Sequence, residues 1–127
     1  IEAPMVHVAW QKAALLLSAE LDSVLSELSE LQSPSHLYCV GHSLGGSLSV
    51  LLALIRSQCD ATCKVHALTW GAPMVGNSAF NKACKLLLAS KDGKPRVLQF
   101  VNDLDPVPKV PSSALGFLPL WDVWPET

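Results

Sequence analysis

The feature that most constrains this chain is the stretch at residues 37–48, where an apolar run meets a histidine, a serine and three glycines and then becomes apolar again. Residues 36–40 are apolar, aromatic or β-branched, which favours a buried strand. Residues 44–57 are rich in leucine and alanine, which favours a helix. A single residue, Ser43, must therefore turn the strand into the helix, and this requires a strained conformation, usually with positive φ.

The serine lies in the pattern Gly-x-Ser-x-Gly, with Gly41 and Gly45 two positions to either side. So sharp a turn is expected to need small residues at both positions, because larger side chains would collide. The turn exposes the Ser43 hydroxyl at a helix N-terminus, where free N–H groups and the helix dipole stabilise developing negative charge. The pattern is typical of a serine nucleophile. The alternative is a glycine turn whose serine has no chemical role.

Helical and extended patterns alternate along the chain. Helices are predicted near residues 10–31, 44–57 and 77–90, and strands near residues 36–41, 64–70 and 96–101. The chain after Asn102 shows no regular pattern. Short buried strands that alternate with helices predict an α/β fold, in which a parallel sheet is covered by helices on both faces and the crossovers are right-handed.

In such sheets the reactive groups gather beyond the carboxyl ends of the strands. Ser43, the Gly71-Ala72-Pro73 turn and residues 102–106 each follow a predicted strand. We therefore expect them to converge at one rim.

Composition limits the classes of function. The chain has 127 residues, of which half are hydrophobic, and this suits one domain with a real core. A net charge of -2 gives no electrostatic case for nucleic-acid binding. No apolar run approaches the ~20 residues that span a bilayer, no cofactor is indicated, and the compartment stays open.

Cysteine leaves three alternatives. Cys59 and Cys63 suit free thiols, a disulfide or a metal site, although only His66 lies near enough in sequence to help bind zinc.

Three motifs, together with Val6-His7 before the first helix, resemble class 3 (fungal-type) lipases of the α/β-hydrolase superfamily. They occur in the family's order over roughly residues 5–111. The motifs are Gly-His-Ser-Leu-Gly-Gly at residues 41–46, Thr-Trp-Gly-Ala-Pro-Met-Val-Gly-Asn at 69–77 followed by Phe80, and Val-Asn-Asp-Leu-Asp-Pro-Val-Pro-Lys-Val-Pro at 101–111. The resemblance implies that residues 1–127 form the central part of an α/β-hydrolase domain.

The resemblance also implies roles for individual residues. Ser43 would attack an ester carbonyl and form an acyl-enzyme, and the backbone N–H of Leu44 would donate to the oxyanion. Asp105 matches the family's triad acid, with Asp103 as the competing candidate in the same loop. The alternative role for either aspartate is to accept backbone N–H groups within a loop. No metal is implied.

The triad histidine is the missing element. The superfamily order is Ser, Asp, His, but all four histidines precede Asp105: His7, His36, His42 and His66. His42 adjoins Ser43 but is expected to point elsewhere, and His66 is expected to be a hydrogen-bonded core residue. The family's second oxyanion donor lies in a loop before the position of Ile1. We therefore expect a fragment without the catalytic histidine segment, inert or nearly so on its own.

Two functional hypotheses follow. The first is a serine hydrolase of lipid esters, either a triacylglycerol lipase or phospholipase-like, which makes transient contact with a membrane or lipid interface. The second is a non-catalytic scaffold that binds lipid or another protein. The apolar tail at residues 117–124 suits a substrate-facing wall, an interaction surface or core packing. The sequence leaves head group and acyl chain length open.

Overall fold

The computed structural model describes residues 2–59, 62–88, 96–109 and 117–119. Residues 117–119 are described as backbone only. The elements within these ranges are β1 (Met5–His7), α1 (Val8–Leu31), β2 (His36–His42), α2 (Leu44–Cys59), β3 (Lys64–Trp70), α3 (Ser78–Leu87), β4 (Val97–Phe100) and β5 (Phe117–Pro119), with a 3₁₀ turn at Val107–Lys109. Predicted helix residues 89 and 90 lie outside the described residues, as does the rest of the apolar tail after residue 119.

The principal sheet has the strand order β2-β3-β4, and both pairs are parallel. Its register runs from His36 opposite Lys64 to His42 opposite Trp70, and Trp70 in turn lies opposite Phe100. The last residues of all three strands are therefore neighbours, and the connections from them leave at one rim. The prediction of a parallel α/β sheet flanked by helices is confirmed, with strand bounds within one residue of those expected.

A second sheet was not predicted. β1 pairs antiparallel with β5, with Met5 opposite Pro119 and His7 opposite Phe117. Val6 also forms an isolated antiparallel bridge with Gly76. The expectation that the chain after Asn102 is irregular is therefore wrong for residues 117–119. Strands of three residues are too short to show a period of two, and distant pairing decides them.

The core lies between α2 and one face of the principal sheet. Its fully buried members include Leu51 and Leu54 of α2 and Val65 and Ala67 of β3, each no more than 1% exposed. Phe80 and Leu88, from α3 and its end, close the same cluster. No helix in the described part of the chain is long and apolar enough to cross a membrane.

Helix α1 buries a different face from the one its leucines indicate. Its buried residues are Gln11, Ala14 and Ser18, whereas the apolar stripe is largely exposed, with Leu31 at 87%. Small side chains on α1 allow α2 to approach, and the two helices are joined by a buried cation. The Arg56 guanidinium donates to the Asp22 carboxylate and, at 3.4 Å, to the Ser18 hydroxyl. This ion pair places the polar side of α1 against α2.

The opposite face of the principal sheet is not covered by any described element. Apolar side chains on all three strands stand open there, each at least 41% exposed: Tyr38, Val40, Trp70, Leu98 and Phe100. The expectation of helices on both faces is therefore met on one face only within the described residues. Stacking replaces part of the missing cover, since the Trp70 and Phe100 rings lie 5.2 Å apart and nearly parallel.

All four cysteines are free thiols, so Cys59 and Cys63 are not bridged. Burial raises the pKa of the Cys84 thiol to about 12. Burial also raises the pKa of Cys39 to about 11, although the nearby Arg56 charge opposes the shift. Both buried thiols therefore stay protonated at neutral pH and act as small apolar residues.

The raised pKa values of these two thiols predict that the folded chain loses stability at alkaline pH. Their folded pKa values lie above the ordinary value of 9.0, so their stabilising contribution is complete below pH 9 and is lost as the pH rises towards 11 to 12. We expect the free energy of unfolding, measured with urea, to fall less steeply above pH 9 in Cys84→Ala than in the unmodified chain. The exposed Cys59→Ala is the control. Identical pH profiles for Cys84→Ala and the unmodified chain would contradict the burial argument.

Two leucines near the end of α3 test the core assignment. Leu88 is 2% exposed and Leu86 is 79% exposed. We expect Leu88→Ala to lower the free energy of unfolding by ~2–5 kcal/mol, because it leaves a cavity. Leu86→Ala should change it by less than ~0.5 kcal/mol. Urea titration followed by circular dichroism measures both, and equal losses would show that residue 88 is not in the core.

Candidate functional site

Ser43 forms the turn between β2 and α2, as predicted, with a φ of 52°. Its N–H donates to the Trp70 carbonyl at 2.8 Å. Its own carbonyl accepts from the N–H groups of Gly46 and Ser47, at 2.9 and 3.3 Å. A left-handed non-glycine residue costs roughly 1–3 kcal/mol and persists only where its surroundings fix it. Bonds from both sides of the serine supply that constraint.

The glycines around the serine are not equivalent. A Cβ on Gly41 would lie 2.1 Å from the Gly45 carbonyl oxygen, and one on Gly46 would lie 2.7 Å from the Ala72 Cβ. A Cβ on Gly45 would meet nothing within 4 Å. The expectation that Gly45 must be small is therefore wrong on steric grounds. Gly41 and Gly46 are the positions where the turn and helix α2 are too close to their neighbours for a side chain.

Leu44 is the first residue of α2. The N–H groups of a first helical turn have no acceptor within the helix and point outwards along its axis. The Leu44 N–H therefore belongs to the donors at this helix end, next to Ser43 in the chain.

Asp105 lies in the loop that follows β4 and is half-buried. Its N–H donates to the Asn102 carbonyl at 3.0 Å, and its Oδ1 accepts from the Val107 N–H at 2.9 Å. Its Oδ2 faces Gly71, at 2.8 Å from the point where a Cβ would stand. Oδ1 thus accepts a backbone N–H within the loop, which is the alternative role expected for this aspartate. Oδ2 faces the strand ends.

An open cleft of about 670 Å³ lies at the strand ends. It is lined by His42, Trp70, Gly71, Gln99, Phe100, Val101, Asn102 and Asp105. The residue before Ser43 and the Asp105 carboxylate thus border the same space. Asp103 is not among the lining residues. It is exposed, and its carbonyl accepts from the Lys109 ammonium. Of the two aspartates, Asp105 is therefore the one that lines this cleft.

The four histidines fall into two groups. His42 lines the cleft, with its Nε2 3.8 Å from a Cβ placed on Gly71, whereas Ser43 is not among the lining residues. The other three are absent from the cleft lining. His7 stacks on Trp10 at 4.1 Å, and His36 Nδ1 lies 3.1 Å from His66 Nε2 on the open sheet face. His66 is hydrogen-bonded as expected but only half-buried.

Sequence reasoning missed the side chains that hold the loop between β3 and α3. The buried Ser47 hydroxyl donates to the Pro73 carbonyl at 2.9 Å, which ties α2 to this loop. Asn77 accepts from the N–H groups of Phe80 and Met5, at 2.9 and 3.0 Å, and donates to the Ala3 carbonyl at 2.7 Å. An asparagine just before an apolar helix is a capping signal, but its links to the chain before β1 have no local signature.

No group of three or more His, Cys, Asp or Glu side chains in the described ranges is placed to hold a metal ion. The chemistry available at this rim is that of a hydroxyl, a carboxylate, an imidazole and backbone donors.

Gly41 and Gly45 form a matched pair for testing the turn. We expect Gly41→Ala to cost ~3 kcal/mol or more of folding free energy, because its Cβ would overlap backbone atoms that no side-chain movement can relieve. Gly45→Ala should be neutral or stabilising by up to ~1 kcal/mol, because alanine is the better helix former and the space is open. Urea unfolding measures both, and a large loss in Gly45→Ala would contradict this geometry.

Comparisons with known proteins find relatives over most of the chain. The family described as lipase (class 3) matches residues 2–114. The secreted mono- and diacylglycerol lipase A of Penicillium cyclopium is 33% identical over 101 residues, covering 76% of this chain and 30% of that protein. Phospholipase A1-II 1 of Oryza sativa subsp. indica is 31% identical over 133 aligned positions, covering 90% of this chain and 31% of that protein.

Solved structures give the same fold. Lipase II from Rhizopus niveus superposes with a TM-score of 0.72 at 23% identity, covering 93% of this chain and 43% of that one. The Rhizomucor miehei triacylglyceride lipase gives 0.70 at 29% identity with the same coverage. This chain thus spans less than half the length of these relatives. The fold is a partial α/β-hydrolase, and the chain belongs to the class 3 lipase family.

Proposed function

We propose that this chain carries the nucleophile and the acid of a serine hydrolase of lipid esters, with Ser43 as the nucleophile and Asp105 as the triad acid. The observation that supports this most directly is the left-handed Ser43 at the start of α2, beside a cleft that the Asp105 carboxylate also lines. Strained backbone of this kind is concentrated at functional sites.

The proposed reaction has two steps. Ser43 Oγ attacks the ester carbonyl while an imidazole takes its proton, and the Leu44 N–H donates to the oxyanion that forms. The intermediate collapses, the alcohol leaves with that proton, and water then cleaves the acyl-enzyme in the same way. Asp105 Oδ2 orients the imidazole and stabilises its charged form. Within residues 1–127 no histidine follows Asp105, so we assign the imidazole to none of these residues.

The cleft lining supports a hydrophobic ester. Trp70, Phe100 and Val101 line the cleft and are each 41–49% exposed. Leu104, in the same loop as Asp105 but outside the cleft lining, is 92% exposed. Such side chains lose little by meeting an acyl chain or a lipid surface and gain by leaving water. Relatives named as mono- and diacylglycerol lipases and as a phospholipase A1 agree with glycerolipids as the substrate class. Transient contact with a lipid interface belongs to this proposal.

A non-catalytic scaffold is the second candidate. It is favoured by the open apolar face of the principal sheet, where Tyr38 and Val40 are each 59% exposed. On this hypothesis the chain binds lipid or protein through that face, and Ser43 has no chemical role.

Imidazole rescue separates the two candidates. Without added base, we expect the chain and Ser43→Ala to hydrolyse p-nitrophenyl butyrate at the same rate, since loss of triad function costs ~10⁴–10⁶ in rate. Imidazole at high concentration should raise the rate of the chain about tenfold above that of Ser43→Ala, because a general base contributes ~10²–10⁴ when it is held in place. Asp105→Asn should remove most of this difference.

Ser43→Ala in the same imidazole buffer is the essential control, because imidazole hydrolyses activated esters by itself. Turnover that needs Ser43 but no added imidazole would assign the base to His42, and His42→Asn would then abolish it. No Ser43-dependent rate under any condition, together with binding to phosphatidylcholine vesicles, would favour the scaffold.

A further inference from the structure

Gly71 repeats at the end of β3 the turn that Ser43 makes at the end of β2. They are the two residues with positive φ in the described ranges, at 56° and 52°. The Gly71 N–H donates to the Phe100 carbonyl at 2.9 Å, just as the Ser43 N–H donates to the Trp70 carbonyl at 2.8 Å. Each left-handed residue thus continues the pairing with the next strand by one bond. Two adjacent strands therefore end in similarly turned backbone at the same rim of the sheet.

The two turns differ in what stands above them. At Gly71, the Asp105 carboxylate occupies the space that a side chain would fill. A Cβ there would lie 2.8 Å from Asp105 Oδ2, 4.0 Å from Asp105 Cγ and 3.8 Å from His42 Nε2. Real Cβ atoms essentially never approach within 3.0 Å of another heavy atom, so a side chain at residue 71 requires the carboxylate to move.

Movement of the Asp105 carboxylate would weaken the hydrogen bonds that hold its loop. Its other oxygen accepts the Val107 N–H at 2.9 Å, and the Asp105 N–H is held by the Asn102 carbonyl at 3.0 Å. Rotation of the side chain away from residue 71 therefore strains or breaks the bond to Val107. Only χ1 of an aspartate is confined to staggered wells, so moving Oδ2 at a fixed χ1 means rotating χ2, which also moves the Oδ1 that accepts from Val107.

We infer that Gly71 is a positioning residue for Asp105: the absence of a side chain in the left-handed turn after β3 fixes the position of the Oδ2 that faces the cleft. The positional part stands on contacts alone, and its catalytic consequence rests on the hydrolase function proposed above. A side chain at residue 71 would shift the acid and also occupy the space between it and His42.

Gly71→Asn is the variant of choice, because asparagine tolerates left-handed backbone better than other residues with a Cβ. It therefore adds the Cβ with little strain, and Gly71→Ala provides a second variant with full strain. Asp105→Ala removes the acid, and Asp103→Ala is the matched control in the same loop, since that side chain is exposed and does not line the cleft.

The first readout is hydrogen exchange of the Val107 amide by NMR, on the 127-residue chain. We expect the exchange rate to rise roughly five- to tenfold in Gly71→Asn and in Asp105→Ala, the size expected for one lost hydrogen bond. It should be unchanged in Asp103→Ala. A folded Gly71→Asn with wild-type Val107 exchange would overturn the inference, whatever the chain catalyses.

The second readout is imidazole-rescued ester hydrolysis. The rescued rate of Gly71→Asn should fall to that of Asp105→Ala, and the double variant should lose nothing more, because both act on the same carboxylate. Additive losses would overturn the positioning role and leave Gly71 as a residue needed for folding only. Faster Val107 exchange without any rescued rate in the unmodified chain would refute the proposed hydrolase and leave the Gly71–Asp105 contact standing.

Discussion

The site depends on the hydrogen bond from the Ser43 N–H to the Trp70 carbonyl, 2.8 Å long. It extends the parallel pairing of β2 and β3 one residue beyond the end of β2, and it holds a serine in a conformation that costs free energy by itself. The equivalent bond from the Gly71 N–H to the Phe100 carbonyl extends the pairing of β3 and β4 one residue beyond the end of β3. Sheet register, rather than any contact between functional side chains, therefore brings the turns to one rim.

Close approach of α2 to the strands is the second condition, and small residues provide it. Gly41 lies against the first turn of the helix, and Gly46 lies against Ala72 and Thr69. The Ser47 hydroxyl then donates to the Pro73 carbonyl and fixes the loop that begins at Gly71. A polar contact that is buried and satisfied in this way specifies one arrangement, because the alternative leaves a carbonyl without a partner. The Ser43 turn and the loop after β3 are thus parts of one packed unit.

Local patterns predicted the parts of this unit that local physics decides. The strand-to-helix change at Ser43 was readable because a single residue separates two patterns of different period. The buried face of α1 was not readable, because α2 selects the small and polar residues Ala14 and Ser18 over the leucines. The steric need at Gly46 rather than Gly45 depends on where Ala72 stands, which is a tertiary contact. The β1–β5 pair joins segments more than a hundred residues apart and leaves no periodic trace.

The strain at Ser43 and the position of Asp105 are fixed by contacts within the described residues, and none of these contacts involves a triad histidine. Ser43 and Asp105 are therefore held in place by backbone and loop contacts, whatever chemistry they perform. The same packing would be kept by an active hydrolase and by a scaffold that has lost the reaction. What distinguishes the two is a proton acceptor beside Ser43 Oγ.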